Sequence, residues 1–236
     1  MQRAMMIATL AVTTVGGCTA DGGEDGAMLV LKNVAPATGC VVTASADELF
    51  ISHGSLDAAL SHGYLFIAQV KSRLSAIAGT EDQRTILISG ARIDIAFPGS
   101  TLFDEAELAD LKARGLTHFR QLFSAPLGPN GSITDVGFEL IPGTLVQAMA
   151  AKAGGPFEVE TLATFTMEGQ QAGNAVQSQA FSYAVTVGTG RSVINRGACP
   201  IEGEVRPGSA CNPTQDGVVD CCTEAGVLLC PGIKAQ

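Results

Sequence analysis

From Met28 onward, apolar and polar residues alternate in short runs broken by Gly, Pro, Asn and Asp, the pattern of a chain built mainly from strands. Met28–Leu31, Cys40–Thr43 and Leu49–Ile51 are the first such runs. Farther on, Tyr64, Phe66, Ala68 and Val70 alternate with Leu65, Ile67, Gln69 and Lys71, as a strand between two different surroundings requires. Between Arg84 and Pro98 the parity changes: Ile86 and Ile88 lie on one face, Ile93, Ile95 and Phe97 on the other, and the switch falls at Ser89-Gly90. A phase flip would turn half of these side chains to water unless one extra residue is absorbed, so a bulge is predicted at Gly90.

Two longer pairs of runs read as hairpins. Thr117–Ala125 and Ile133–Ile141 flank Pro129-Asn130-Gly131, which supplies turn-forming backbone. Glu158–Met167 and Ala180–Val187 flank the segment from Glu168 to Asn174. Helical periodicity interrupts twice. Asp104–Arg114 carries Asp104, Glu105 and Glu107 early and Lys112 and Arg114 late, which suits the helix dipole, and Gly115 follows. Leu145–Ala153 has Thr144 as candidate N-cap, Leu145 and Met149 on one face, and Gly154 as a stop. Many short strands with one or two short helices predict an antiparallel, immunoglobulin-like β-sandwich over residues 28–190, as one sandwich or two, followed by a cysteine-rich tail over 191–236.

The N-terminus has a different character. Arg3 is followed by an uncharged apolar run from Ala4 to Val15, 12 residues long. That length suits a secretory signal, whereas spanning a bilayer takes about 20 residues. Val15-Gly16-Gly17-Cys18 resembles the lipobox of bacterial lipoproteins. The resemblance implies cleavage after residue 17, lipidation of Cys18, and a membrane anchor of two or three acyl chains, enough for stable attachment. Thr19 in place of Asp at the next position implies sorting to the outer membrane by the enteric rule. Residues 18–27, polar and glycine-rich, read as a flexible tether. The body also resembles uncharacterised secreted lipoproteins of myxobacteria-like organisms, through Gly54-Ser55-Leu56-Asp57, Gly63-Tyr64, Gln69 to Leu74, and the order of helix 145–153, strand, Gly-rich turn, Val176–Phe181 strand and cysteine-rich tail. That resemblance implies export and carries no activity or site residue.

Besides Cys18, six cysteines remain: Cys40, Cys199, Cys211, Cys221, Cys222 and Cys230. In an exported chain this even number predicts up to three disulfides. Five of the six lie in the tail, so full oxidation requires Cys40 to bond into it, stapling the tail to the early sandwich. Adjacent Cys221 and Cys222 are expected to take separate partners. The spacings lack the paired Cys-x-x-Cys or Cys/His pattern of structural zinc. Asn212, Thr214, Asp216 and Asp220 place oxygens at positions 1, 3, 5 and 9 around Gly217, as in calcium loops of EF-hand type, which makes calcium the candidate cofactor. Thr223 stands where that pattern needs a bidentate Glu, and the plainer reading is a turn at Asp216-Gly217 between disulfides.

Composition then narrows the partners. Lys and Arg total 14 against 23 acids, a net charge of −9, and Trp is absent, so neither a basic patch nor a stacking platform suits nucleic acid. His53, His62 and His118 are the only histidines, and Ser52-His53-Gly54 recurs as Ser61-His62-Gly63, a possible metal pair across a hairpin with Asp57 the nearest carboxylate. Neither Gly-x-Ser-x-Gly nor His-Glu-x-x-His occurs. The expectation is a non-enzymatic, lipid-anchored envelope protein with a structural role or one of binding a protein or glycan. A calcium-dependent module over 212–220 and an envelope hydrolase are the alternatives.

Overall fold

The structure, a computed structural model, describes residues 25–42, 49–60, 62–75 and 84–235. The expected signal sequence, Cys18 and the expected tether up to residue 24 lie outside the described residues. Among the described residues twelve strands carry the fold: β1 (Asp25–Asn33), β2 (Gly54–Asp57), β3 (Tyr64–Ser72), β4 (Ile86–Ala96), β5 (His118–Leu127), β6 (Ile133–Ile141), β7 (Glu158–Gln171), β8 (Asn174–Ser178), β9 (Phe181–Gly188), β10 (Val193–Ala198), β11 (Val219–Glu224) and β12 (Val227–Leu229). Helix α1 (Glu105–Ala113) joins β4 to β5, and α2 (Gly143–Ala153) joins β6 to β7. The mainly β character, the short helices and the disulfide-rich C-terminal region agree with the sequence.

Nine strands form one continuous sheet in the order β2-β9-β7-β8-β1-β3-β6, with β4 paired to β7 and β5 to β4. The fourteen-residue β7 is the hinge of this arrangement, because its second half pairs with β8 and its first half with β9 along the same edge. The sheet folds over on itself at this point. Phe66 on β3 lies 5.2 Å from Phe165 on β7 and 4.9 Å from Tyr183 on β9, and Phe138 on β6 lies 5.2 Å from Phe165, although these strands are not neighbours in the sheet. Edge-to-face contacts of this kind add about 1 kcal/mol each beyond simple burial. The pairing is mixed rather than wholly antiparallel, and does not show the immunoglobulin-like arrangement: β1 with β8 and β2 with β9 in the large sheet, and β10 with β11 in the tail, are parallel.

The bulge sits where the phase change places it. Register slips between Ile88 and Gly90 against both β5 and β7, and Ile86, Ile88, Ala91 and Ile93 are all buried on the core side. A Cβ at Gly90 would stand 2.4 Å from the Gln121 carbonyl oxygen, so this close approach excludes any larger residue. Helix α1 is capped reciprocally, the Asp104 carboxylate accepting from Glu107 N and Glu107 from Asp104 N. In α2 Thr144 is not the cap. The helix starts two residues earlier, at Gly143 after Pro142, and Gly143 N donates to Glu139 Oε1 at 3.0 Å, while Gly154 ends it in the left-handed conformation as expected.

Other local expectations shift. Strand β1 starts at Asp25, inside the stretch read as tether. The segments around Cys40 and Leu49 form isolated bridges, Ala37 with Val41 and Val34 with Phe50, and Cys40 itself has φ 58°. The turn at Asn130-Gly131 exists, both residues having positive φ, but β5 and β6 do not pair across it. Asn130 N donates to Leu74 O at 2.7 Å and Ser72 N to Ser132 O at 2.9 Å, so the turn is bonded to the end of β3 and delivers β6 onto β3.

Candidate functional site: a cleft between tail and sheet

All six cysteines after Cys18 are paired: Cys40–Cys211, Cys199–Cys222 and Cys221–Cys230. Cys40 staples the tail to the early part of the chain and the adjacent cysteines diverge, both as expected. Three disulfides point to an oxidising, extracytoplasmic compartment. Among the described residues no helix is long and apolar enough to cross a membrane.

The tail is docked by backbone as well as by sulfur. Asp57 N donates to Thr214 O and Asp216 N to Ser55 O, each at 2.9 Å, so residues 214–216 run antiparallel beside β2 in an isolated bridge centred on Leu56 and Gln215. Gln215 is buried and uses its side-chain amide as a substitute peptide: Leu65 N donates to its Oε1 at 2.8 Å and its Nε2 donates to Leu65 O at 2.7 Å. Asn212 Nδ2 donates to Gly63 O, and the fully buried Asp57 carboxylate accepts from Ser192 N and Val193 N where the tail begins. Each of these buried polar groups finds a partner, as burial without water demands.

This docking leaves a cleft of about 500 Å³ between residues 35–39 with Ile51 on one side and residues 207–210 on the other, with Asp216 among its lining residues. Cys40 and Cys211 directly follow the lining residues Gly39 and Ala210, so the disulfide fixes the two walls against each other. Gly208, at φ +73°, could accept no Cβ, because one would meet the Pro213 carbonyl oxygen at 2.1 Å. Volume and shape fall within the range of small-ligand sites.

Behind the cleft stands a polar network. Tyr64 Oη donates to Asp216 Oδ2 and Ser55 N donates to Oδ1, both at 2.7 Å. Asn33 Nδ2 donates to the hydroxyls of Tyr64 (3.1 Å) and Tyr183 (3.0 Å), which lie 3.1 Å apart, and Tyr183 Oη reaches Ile51 O at 3.1 Å. Burial pushes the Asp216 carboxyl above its ordinary range, a tendency opposed by the Ser55 N–H, the Tyr64 hydroxyl, the Gln215 side chain and His53. Burial, and then the Asp216 charge, likewise raise Tyr64, which therefore stays a phenol and a donor. Tyr183 is raised by burial too. Gly54 makes room for this arrangement: a Cβ there would be 2.7 Å from the Tyr64 ring and hydroxyl. Asp216 itself has φ 52°, a conformation Asp tolerates better than most residues.

The four calcium-loop candidates go to different partners. Asn212 holds Gly63 and Thr214; Thr214, fully buried, donates its hydroxyl to Asn212 Oδ1; Asp216 holds Ser55 and Tyr64. The Asp220 carboxylate receives Arg206 through Nε and Nη2 at 3.0 and 2.6 Å, with Arg196 3.6 Å away, and these arginines hold it well below the usual carboxylate range. An acid neutralised by two guanidinium groups is poorly suited to a cation. The three histidines are likewise dispersed: His53 Nε2 bonds Thr186 Oγ1 at 2.8 Å, His118 Nδ1 bonds Asp94 at 2.5 Å, and His62 lines a shallow depression with Glu139 and Asn212. Among the described residues no group of three or more His, Cys, Asp or Glu could hold a metal ion. Sequence reasoning named Asp216 but missed Asn33, Tyr64 and Tyr183 as its companions. The available signal was that the chain has two tyrosines, each on the apolar parity of a strand.

No protein-family model matches the chain, and no curated protein sequence does. A solved structure described as a protein from Archaeoglobus fulgidus is similar at 12% identity over 53% of this chain and 84% of its own, with a TM-score of 0.32, a likeness too slight to support either a fold or a function.

Proposed function

We propose that the protein is an exported, lipid-anchored binding protein of a bacterial cell envelope, sorted to the outer membrane, with the cleft between residues 35–39 and 207–210 as its recognition site. The observation that carries this reading is the cleft itself: two walls held by the Cys40–Cys211 bridge, with Asp216 and its tyrosine network between them. The disulfides fit an extracytoplasmic compartment, and the lipobox-like Val15-Gly16-Gly17-Cys18 supplies the anchor.

Position supports the same reading. Lipidated Cys18 would precede Asp25, the first residue of β1, by seven residues. The cleft lies past the other end of that strand, at Ala35 and Pro36, roughly 26 Å farther on at about 3.3 Å per residue. The cleft thus stands well away from the anchored end. Leu49 (82% exposed) and Phe50 (64% exposed) precede the lining residue Ile51, and exposed apolar residues beside a cleft favour a macromolecular partner.

Two measurements test the reading. The intact mass of the membrane-extracted protein, with free thiols blocked and no reductant, is expected to start at Cys18 with acyl chains added and no blocked thiol; an unmodified Cys18 would overturn the anchor. Cross-linking capture from intact cells is expected to lose its partner with Ala210→Trp, which fills the cleft from an exposed position. Capture that survives this change would overturn the cleft as recognition site.

A further inference from the structure

Resting on the reading of this cleft as a recognition site, we infer that it takes a ligand bearing an alkylammonium group, the chemistry of a lysine side chain, with the cationic nitrogen against Asp216 and the methylene stem along the apolar walls.

Among the described residues, Asp216 is the only formally charged one lining the cleft. An anionic ligand would meet repulsion there, and a purely apolar one would cover the carboxylate without replacing the water it loses. Three other well-buried acidic side chains show how this protein meets that demand. Asp220 takes Arg206 and Arg196, Glu168 takes Arg92 and Arg120, and Asp57 takes backbone N–H groups where the tail joins. Asp216 forms no ion pair with a Lys or Arg among the described residues. Its cationic neighbour would be His53, whose Nε2 is committed to Thr186 and lies 3.7 Å from Glu160. Tyr64, Tyr183, Ser55 and Gln215 complete its surroundings, and none brings a positive charge.

The geometry leaves room for a cationic donor. Each oxygen of Asp216 already accepts one strong bond, from Ser55 N and from Tyr64 Oη. A carboxylate accepts about four bonds in all, so each oxygen keeps room for about one further donor. An ammonium is a compact point charge with rotatable donors and suits such a half-occupied carboxylate. Ala35, Pro36, Ile51, Pro207 and Ala210 offer apolar surface for a methylene chain. A volume of about 500 Å³ accepts a free alkylamine or a lysine with its adjoining backbone.

The test is an amide-shift titration of the oxidised mature protein with three probes: Nα-acetyl-lysine methylamide, the corresponding norleucine compound, which is the same shape without the charge, and n-butylamine. The lysine probe is expected to move Gly39, Gly208 and Ala210 and to bind at least tenfold more tightly than the norleucine probe. In Asp216→Asn the advantage disappears. Asn retains the acceptor for Ser55 N and tolerates the positive φ, and unchanged amide shifts at Ser55 and Gln215 show that the fold is kept. Butylamine binding as well as the lysine probe assigns a free amine, and butylamine binding more weakly assigns a lysine presented on a peptide; both sustain the inference. Equal affinity for lysine and norleucine, an advantage that persists in Asp216→Asn, or no shift at millimolar concentration overturns it. The two levels of the reading remain separable. Loss of partner capture by Ala210→Trp without any preference for lysine leaves the recognition site standing and removes the ammonium, whereas capture that survives Ala210→Trp removes the recognition site itself.

Discussion

Removing the Cys40–Cys211 bridge by the double change Cys40→Ala and Cys211→Ala should release more unfolded-chain entropy than removing either other disulfide of this protein. The bridge closes a loop of 171 residues, against 23 for Cys199–Cys222 and 9 for Cys221–Cys230. In the chain-entropy treatment these loops correspond to about 5, about 3.5 and about 2.5 kcal/mol of lost freedom in the unfolded chain. The first value is a substantial part of the roughly 5–15 kcal/mol that holds a domain folded. Cys40 is exposed and Cys211 half-buried, so alanine leaves no core cavity there, whereas Cys221 and Cys222 are fully buried and their loss adds a packing cost. Urea unfolding monitored by near-ultraviolet circular dichroism reads the effect. With a slope of about 2 kcal/mol per molar, the midpoint should fall by about 2.5 M, and the slope should rise because the released chain expands. A loss below about 1 kcal/mol would refute the reasoning, since it would mean that the unfolded chain is already confined without the bridge.

Three further outcomes follow from the tail and its network. The folded Asp216 pKa lies above the unfolded one, so the stability this group contributes is full below the unfolded pKa and is lost as pH rises through the folded value. Asp216→Asn should therefore gain stability relative to the native chain as pH rises above about 4, where an unfolded Asp titrates; melting temperatures that diverge in the opposite sense contradict this. Gly54→Ala would push a methyl to 2.7 Å from the Tyr64 ring, costing about 1–3 kcal/mol and shifting the tyrosine near-ultraviolet signal; an unchanged signal and stability would show that the ring has room. Gln215→Leu removes both bonds to Leu65, leaving a buried N–H and C=O unpaired at about 1–3 kcal/mol each; hydrogen exchange at Leu65 N should accelerate, and continued protection there would mean that another acceptor replaces the amide.

What the sequence by itself determined is what depends on near neighbours. Parity along Ile86–Phe97 located the bulge at Gly90, because alternation is a property of one strand. Charge order and Gly154 marked α1 and α2, because caps and dipoles act within one turn. Counting cysteines was enough to send Cys40 into the tail, and the bridge forms there. Tertiary structure decided which strands became neighbours. The turn at Asn130-Gly131 was legible, but its bonds to Leu74 and Ser72, some sixty residues away in sequence, took β6 to β3 and left β5 with β4. The cleft was equally out of reach. Asn33, Tyr64, Tyr183 and Asp216 span most of the chain, and each in isolation reads as a core, strand or turn residue. Only the folding over of the sheet at β7 and the docking of 214–216 along β2 bring their polar atoms within bonding distance, because a buried donor accepts whichever partner packing delivers.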